Sequence, residues 1–129
     1  MPKAPQNMHE YQLQAGVMQL CRYFDLLAYH THDSRRSAEG FPDVVVLGTS
    51  LLLAELKVGG RKLTPAQEAW GEGLEEAASF DGSRILYRVW REEHWWSGEI
   101  RATLEGLRFR ADYTARPPAQ LHPHQRRPQ

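Results

Sequence analysis

The 129-residue chain predicts an α/β fold in the order helix, three strands, helix, strand, helix. Three observations point there. Apolar residues recur at helical spacing from about His9 to Phe24. Two dense apolar runs, Val44 to Leu47 and Leu51 to Leu56, flank the short segment Gly48-Thr49-Ser50. Thr64-Pro65-Ala66-Gln67 then opens a second helical stretch, and another apolar run follows it. A hydrophobic content of 41% with four Trp suits one packed domain rather than a disordered chain.

The residues before Met8 include two prolines and an asparagine and read as a frayed end. In the first helix Leu13, Val17, Leu20, Cys21 and Phe24 define one apolar stripe, bordered near its start by Glu10 and Gln14, four residues apart. Leu26 to Thr31 reads as a strand, and His32-Asp33-Ser34-Arg35-Arg36-Ser37 as a polar loop. Both faces of Val44–Leu47 and Leu51–Leu56 are apolar, the pattern of central strands covered on two sides. Gly59-Gly60 ends the second of these strands. Thr64 is placed to cap the next helix, with Pro65 at its first position and Gln67 closing a capping box. That helix is expected to bury Ala66, Ala69, Trp70, Gly73, Leu74 and Ala77. Asp81-Gly82 turns into a strand from Arg84 to Trp90, and His94 to Leu107 is expected to form one final helix with Trp95, Trp96, Ile100 and Leu104 inward. The folded unit therefore spans 8–107, and 108–129 reads as a basic, Pro-rich, disordered tail.

The hairpin carries the chemistry. If Gly48-Thr49-Ser50 is a three-residue loop, Leu47 pairs with Leu51, Val45 with Leu53, and Asp43 falls opposite Glu55. Lys57, two residues on, shares their face. Two carboxylates about 5 Å apart repel by roughly 3 kcal/mol at an effective dielectric of about 20. Lys57 offsets part of that, and a pair of hard oxygen ligands beside open space is also what Mg²⁺ or Mn²⁺ uses when shared with a phosphate. An ordinary hairpin with an exposed ion cluster explains the same residues equally well. A four-residue loop would send Asp43 to the opposite face. Pro42 fits either reading, since proline can begin a strand.

Net charge is formally zero, which opposes a strong grip on nucleic acid by the chain as a whole. The distribution is uneven: Glu68, Glu72, Glu75 and Glu76 crowd one helix, whereas Arg35, Arg36, Arg61 and Lys62 flank the hairpin. A basic rim around the site is one reading and solvated loop charge is the other. The lone Cys21 excludes an intrachain disulfide and suits a reducing compartment, where it packs as a small apolar residue. No apolar run approaches a membrane span or a signal peptide, so a cytoplasmic protein is expected.

Several segments combine beyond the hairpin. They are a first helix with Glu10 and Gln14, Tyr29-His30-Thr31-His32-Asp33-Ser34, Gly40-Phe41-Pro42-Asp43, Glu55-Leu56-Lys57 and Leu63-Thr64-Pro65-Ala66-Gln67. In this order they resemble the PD-(D/E)XK nuclease superfamily, and within it the virus-type replication-repair nuclease (VRR-NUC) group, related to archaeal Holliday-junction resolvases. The resemblance covers roughly 8–97. It implies a restriction-endonuclease-like core, a central mixed sheet with helices on both sides, and hydrolysis of DNA phosphodiesters with Mg²⁺ or Mn²⁺.

By the same resemblance Asp43 and Glu55 would ligate the metal with the Leu56 carbonyl. Glu10 would add an acidic ligand or hold a second metal, and Lys57 would orient the attacking water or stabilise charge at phosphorus. Gln67 falls at a family glutamine position, although its capping role explains it without chemistry. His30, Ser34, Arg35, Arg36, Arg61 and Lys62 would face DNA. His30 and His32 lack a third ligand and suit phosphate positioning or packing better than zinc. The implied substrate is duplex or branched DNA in phage or bacterial recombination and repair, and symmetric cutting would favour a homodimer. The competing expectations are a non-cleaving nucleic-acid-binding or assembly protein on the same fold, and a nuclease active only within a larger machine.

Overall fold

The computed structural model describes residues 8–31 and 38–109. The expectations for Ser34, Arg35, Arg36, His32 and most of the tail lie outside the described residues. In chain order the elements are α1 (Glu10–Tyr23), β1 (Leu27–His30), β2 (Val44–Leu47), β3 (Leu51–Leu56), α2 (Pro65–Ser79), β4 (Ile85–Trp90), α3 (Glu92–Trp96) and α4 (Glu99–Gly106).

The four strands form one sheet in the order β1-β2-β3-β4. β1, β2 and β3 are antiparallel neighbours, and β4 returns parallel to β3 through the α2 crossover, so the sheet is mixed. β2 is Val-rich and a natural strand former. β3 is Leu- and Ala-rich, with weak intrinsic strand preference, and owes its conformation to being hydrogen-bonded on both sides and buried. Leu47 pairs with Leu51, so the connecting loop has three residues as expected.

The alternation of side chains divides β3 between two layers. Leu52, Ala54 and Leu56 join Val44, Val46 and Trp90 in a core built with Leu13, Val17 and Cys21 of α1 and Ile100 and Leu104 of α4. Leu53 and Glu55 point to the other face, where α2 packs on β4. Gly71 of α2 is buried there because a Cβ would come within 2.8 Å of the Tyr87 hydroxyl. Cys21 is buried on the α1 stripe. Among the described residues no helix is long and apolar enough to cross a membrane.

Two expectations are corrected. The last helix is not continuous from His94 to Leu107: it breaks at Ser97-Gly98, where Gly98 has φ +86, giving the short α3 and then α4. Ile100 and Leu104 are buried as expected, but Trp96 is exposed. The inward face of α2 is also rotated. Gly71 is buried and Ala66, Gln67, Leu74, Ala77 and Ala78 are half-buried, whereas Ala69, Trp70 and Gly73 are exposed. Ala66, Leu74 and Ala77 thus lie inward as expected, and the face is turned toward Gln67, Gly71 and Ala78 by less than the roughly 100° step of one residue. The packing of α2 on Tyr87 demands a small residue rather than a large one, and Gly71 supplies it.

The hairpin loop is held by the C-terminal end of α4. Thr49 N–H donates to the Leu107 carbonyl at 2.9 Å, and a Cβ on Gly48 would lie 2.3 Å from that same oxygen. Gly48→Ala is therefore expected to destabilise the fold by about 1–3 kcal/mol through forced displacement of α4 from the hairpin. Gly73→Ala, on an open helical surface with nothing within 4 Å, is expected to raise stability by about 0.5–1 kcal/mol. Urea unfolding of both variants measures the contrast, and equal effects would contradict this packing.

Candidate active site

The three-residue loop fixes where the charges fall. With Val45 opposite Leu53 and Val44 opposite Ala54, the next step outward brings Asp43 to the level of Glu55. Asp43 is held at three points. Its carbonyl accepts the Thr31 N–H at 2.9 Å, the Thr31 hydroxyl donates to the neighbouring Pro42 carbonyl at 3.2 Å, and its Oδ2 accepts the Leu56 N–H at 2.8 Å. The last bond replaces a ladder hydrogen bond with one to a carboxylate, which is the stronger kind. It also aims the carboxylate at β3.

Glu55 is only 2% exposed and Lys57 only 7%, so both charges sit in a largely dry environment. Burial pushes the Glu55 carboxyl up to about 9 from its ordinary 4.5; a hydrogen bond with Asp43 and the Asp43 charge push the same way, Lys57 opposes them, and Glu10 adds a smaller upward push. Glu10, at the start of α1, is raised too, first by partial burial and then by Asp43, against Lys57 and Arg61. Four elements thus deliver one electrostatically coupled group: α1 brings Glu10, the lead into β2 brings Asp43, β3 brings Glu55, and the following loop brings Lys57 and Arg61.

Gln67 performs both roles considered for it. Its Oε1 accepts the Thr64 N–H at 2.9 Å while its own N–H donates to the Thr64 hydroxyl at 3.2 Å, completing the capping box. Its Nε2 donates to Glu55 Oε2 at 3.2 Å. The rotated face of α2 makes this reach possible, because Gln67 lies on the side turned to the sheet.

His30 is brought to Gln14 of α1, with Nδ1 and Nε2 3.3 Å apart, on the sheet face opposite to Glu55. Arg61 and Lys62 are exposed in the loop between β3 and α2. That loop is tied to the start of α3: Arg91 donates to the Arg61 carbonyl at 2.8 Å, and Gly59 N–H donates to the Glu92 carboxylate at 3.0 Å. Tyr87, Arg91 and Glu92 join the site without any expectation from sequence, and Thr31 was expected only as part of the Tyr29 to Ser34 segment of the resemblance. Tyr87 shares the Glu55 face; burial and the charges of Glu55, Glu75 and Asp43 push its hydroxyl up to about 12.

Among the described residues no three His, Cys, Asp or Glu side chains form a group that could hold a metal ion by themselves. Glu10 is coupled to the pair by charge rather than gathered with it as a third ligand. The donor set still fits a hard cation: two carboxylates beside a backbone peptide suit an ion that keeps water and substrate oxygens in its remaining positions.

No family model matches the chain, and no curated protein matches it. Among solved structures, a chain described as "VRR_NUC domain protein" aligns with 81% of this one and 93% of its own length, with a TM-score of 0.56 and 20% identity. The present chain shares that fold. The VRR_NUC-like architecture is the mixed four-stranded sheet with flanking helices described above, in agreement with the restriction-endonuclease-like core that the sequence implied.

The electrostatics of this site in the VRR_NUC-like fold set a pH dependence. Between about 4.5 and about 9 the folded chain holds a proton on Glu55 that the unfolded chain has lost, so metal-free stability falls as pH rises through that window. Glu55→Gln, which mimics the protonated form, should flatten the fall. Urea unfolding in chelator at pH 5, 7 and 9 tests this, and parallel slopes in the two proteins would count against a buried, protonated Glu55.

Proposed function

We propose that the protein is a divalent-metal-dependent endonuclease that hydrolyses DNA phosphodiester bonds. The observation that carries this reading is the opposition of a half-buried Asp43 to a buried Glu55, with the buried Lys57 on the same face, set by the three-residue hairpin loop. A structural hairpin has no use for a buried acid and a buried lysine beside a second acid, since a buried charge is costly unless paired or bound to metal.

In this reading Asp43 and Glu55, with the Leu56 carbonyl, hold Mg²⁺ or Mn²⁺. The metal, when bound, lowers the pKa of its water and screens phosphate oxygens. Lys57 presents an ammonium to the attacking water or to the charge developing on phosphorus. Gln67 fixes the orientation of Glu55 through its amide, and Glu10 adds a carboxylate at the edge of the group. Arg61 and Lys62, on a loop anchored by Arg91 and Glu92, present exposed cations to the DNA backbone, as would Arg35, Arg36, Ser34 and His30 in the fuller rim that the resemblance implies. The preference for branched or four-way DNA, a homodimeric arrangement, and a setting in phage or bacterial recombination and repair are finer elements of the same proposal, supported by the resemblance.

The test is incubation of the purified protein with labelled linear, flap and four-way DNA in Mg²⁺, Mn²⁺ or EDTA. Metal-dependent cutting is expected from the wild type. Asp43→Asn should abolish it while leaving metal-free stability unchanged or slightly raised, because the Asp43 charge that opposes ionisation of Glu55 is removed. Lys57→Ala should lose at least ~100-fold in rate, the scale of one electrostatic catalytic group. Cutting that persists in EDTA, or in Asp43→Asn, would contradict the proposal.

A further inference from the structure

Trp70 departs from what burial alone selects. It lies on the flank of α2 turned away from β4 and is 37% exposed, yet it is not idle. Its indole N–H donates to the Glu39 carbonyl at 3.1 Å. Its ring meets Phe41 edge-on, with centroids 5.0 Å apart and planes at 86°. Between these contacts Gly40, at φ +85, lies so close to α2 that a Cβ would come within 2.4 Å of the Ala66 carbonyl carbon. Three consecutive residues are therefore held on the first turns of α2. The chain then passes through the buried Pro42 and reaches Asp43.

We propose that Trp70 is a positioning residue for Asp43, fixing through Glu39 and Phe41 the segment that delivers this carboxylate to the Leu56 N–H and to Glu55. The catalytic consequence rests on the nuclease reading above; the positioning itself does not. Gln67 and Trp70 are three residues apart on one helix, so they lie on adjacent parts of its surface. The first reaches Glu55 and the second holds the approach to Asp43. A helix is stiff over one turn, and α2 thereby sets the relation of the two carboxylates as a single body. A ring with a donor at its edge is needed for this: phenylalanine supplies the aromatic contact without the N–H, and alanine supplies neither.

The test compares Trp70→Phe and Trp70→Ala with Phe80→Ala, which removes an exposed ring from the far end of the same helix. The direct readout is hydrogen exchange of the Leu56 amide, whose partner is the Asp43 carboxylate. Trp70→Ala should speed that exchange about tenfold while the core amides of Val46 and Leu52 keep their protection. Trp70→Phe should be intermediate and Phe80→Ala unchanged. Mn²⁺ affinity and kcat should fall in the same order, by about tenfold in Trp70→Ala, as expected for a residue supporting a ligand from behind. If Trp70→Ala does not fold, Trp70→Phe reads the same amide. Unchanged Leu56 exchange in the folded variant overturns the positioning role. Faster exchange, in a protein whose wild type neither takes up Mn²⁺ nor cuts DNA, upholds the positioning and removes the nuclease reading instead.

Discussion

Two carboxylates held opposite each other at the dry end of a hairpin repel, and much of the surrounding structure can be understood as fixing or tempering that repulsion. The Leu47–Leu51 pairing dictates the opposition, because a loop one residue longer would have separated the two acids onto different faces. Burial of Glu55 then leaves little water to screen it from the half-buried Asp43. Three kinds of group respond. Lys57 offers a compensating charge, the Leu56 N–H satisfies one Asp43 oxygen, and Glu55 takes up a proton when no cation is present. Protonation thus stands in, in the metal-free protein, for the positive charge that the proposed cation would bring between the two acids.

The scaffold around the pair is arranged to keep it rigid. Thr31 ties the lead into β2 to the end of β1, while α2 contacts both approaches, through Gln67 to Glu55 and through Trp70 and Ala66 to the Gly40 segment. The loop bearing Arg61 and Lys62 is tied by backbone contacts to Arg91 and Glu92, so exposed cations are placed without using their own side chains for anchorage. Preorganisation of this sort lets a small fold hold reactive groups in a geometry that an isolated hairpin would not maintain.

Much of this was legible in the sequence. The three-residue loop between two apolar runs was one of two readings of the hairpin, and the Leu47–Leu51 pairing selects it and brings Asp43 level with Glu55. The Thr-Pro-x-Gln start placed α2, and each of its capping bonds is present. What escaped was tertiary. The α2 stripe was read from apolar periodicity as running through Trp70 and Gly73, but the sheet beneath presents Tyr87 and admits only a glycine at Gly71. The large apolar side chain was free for another use, and Gln67 turned inward. Likewise, the aromatic content of His94 to Leu107 suggested one helix, whereas the positive φ of Gly98 breaks it and leaves Trp96 outside. The anchoring of the basic loop by Arg91 and Glu92 depends on contacts about thirty residues apart in sequence, a distance at which local patterns carry no signal.

The central claim is that the opposed carboxylates of Asp43 and the buried Glu55 form a cation site. Titration of the purified protein with Mn²⁺, read by the paramagnetic signal of the free ion, tests it without reference to any substrate. The account predicts saturable uptake by the wild type and its loss in Glu55→Gln, which keeps the shape and the Gln67 neighbour but removes the charge. Equal Mn²⁺ uptake by the two proteins would contradict it.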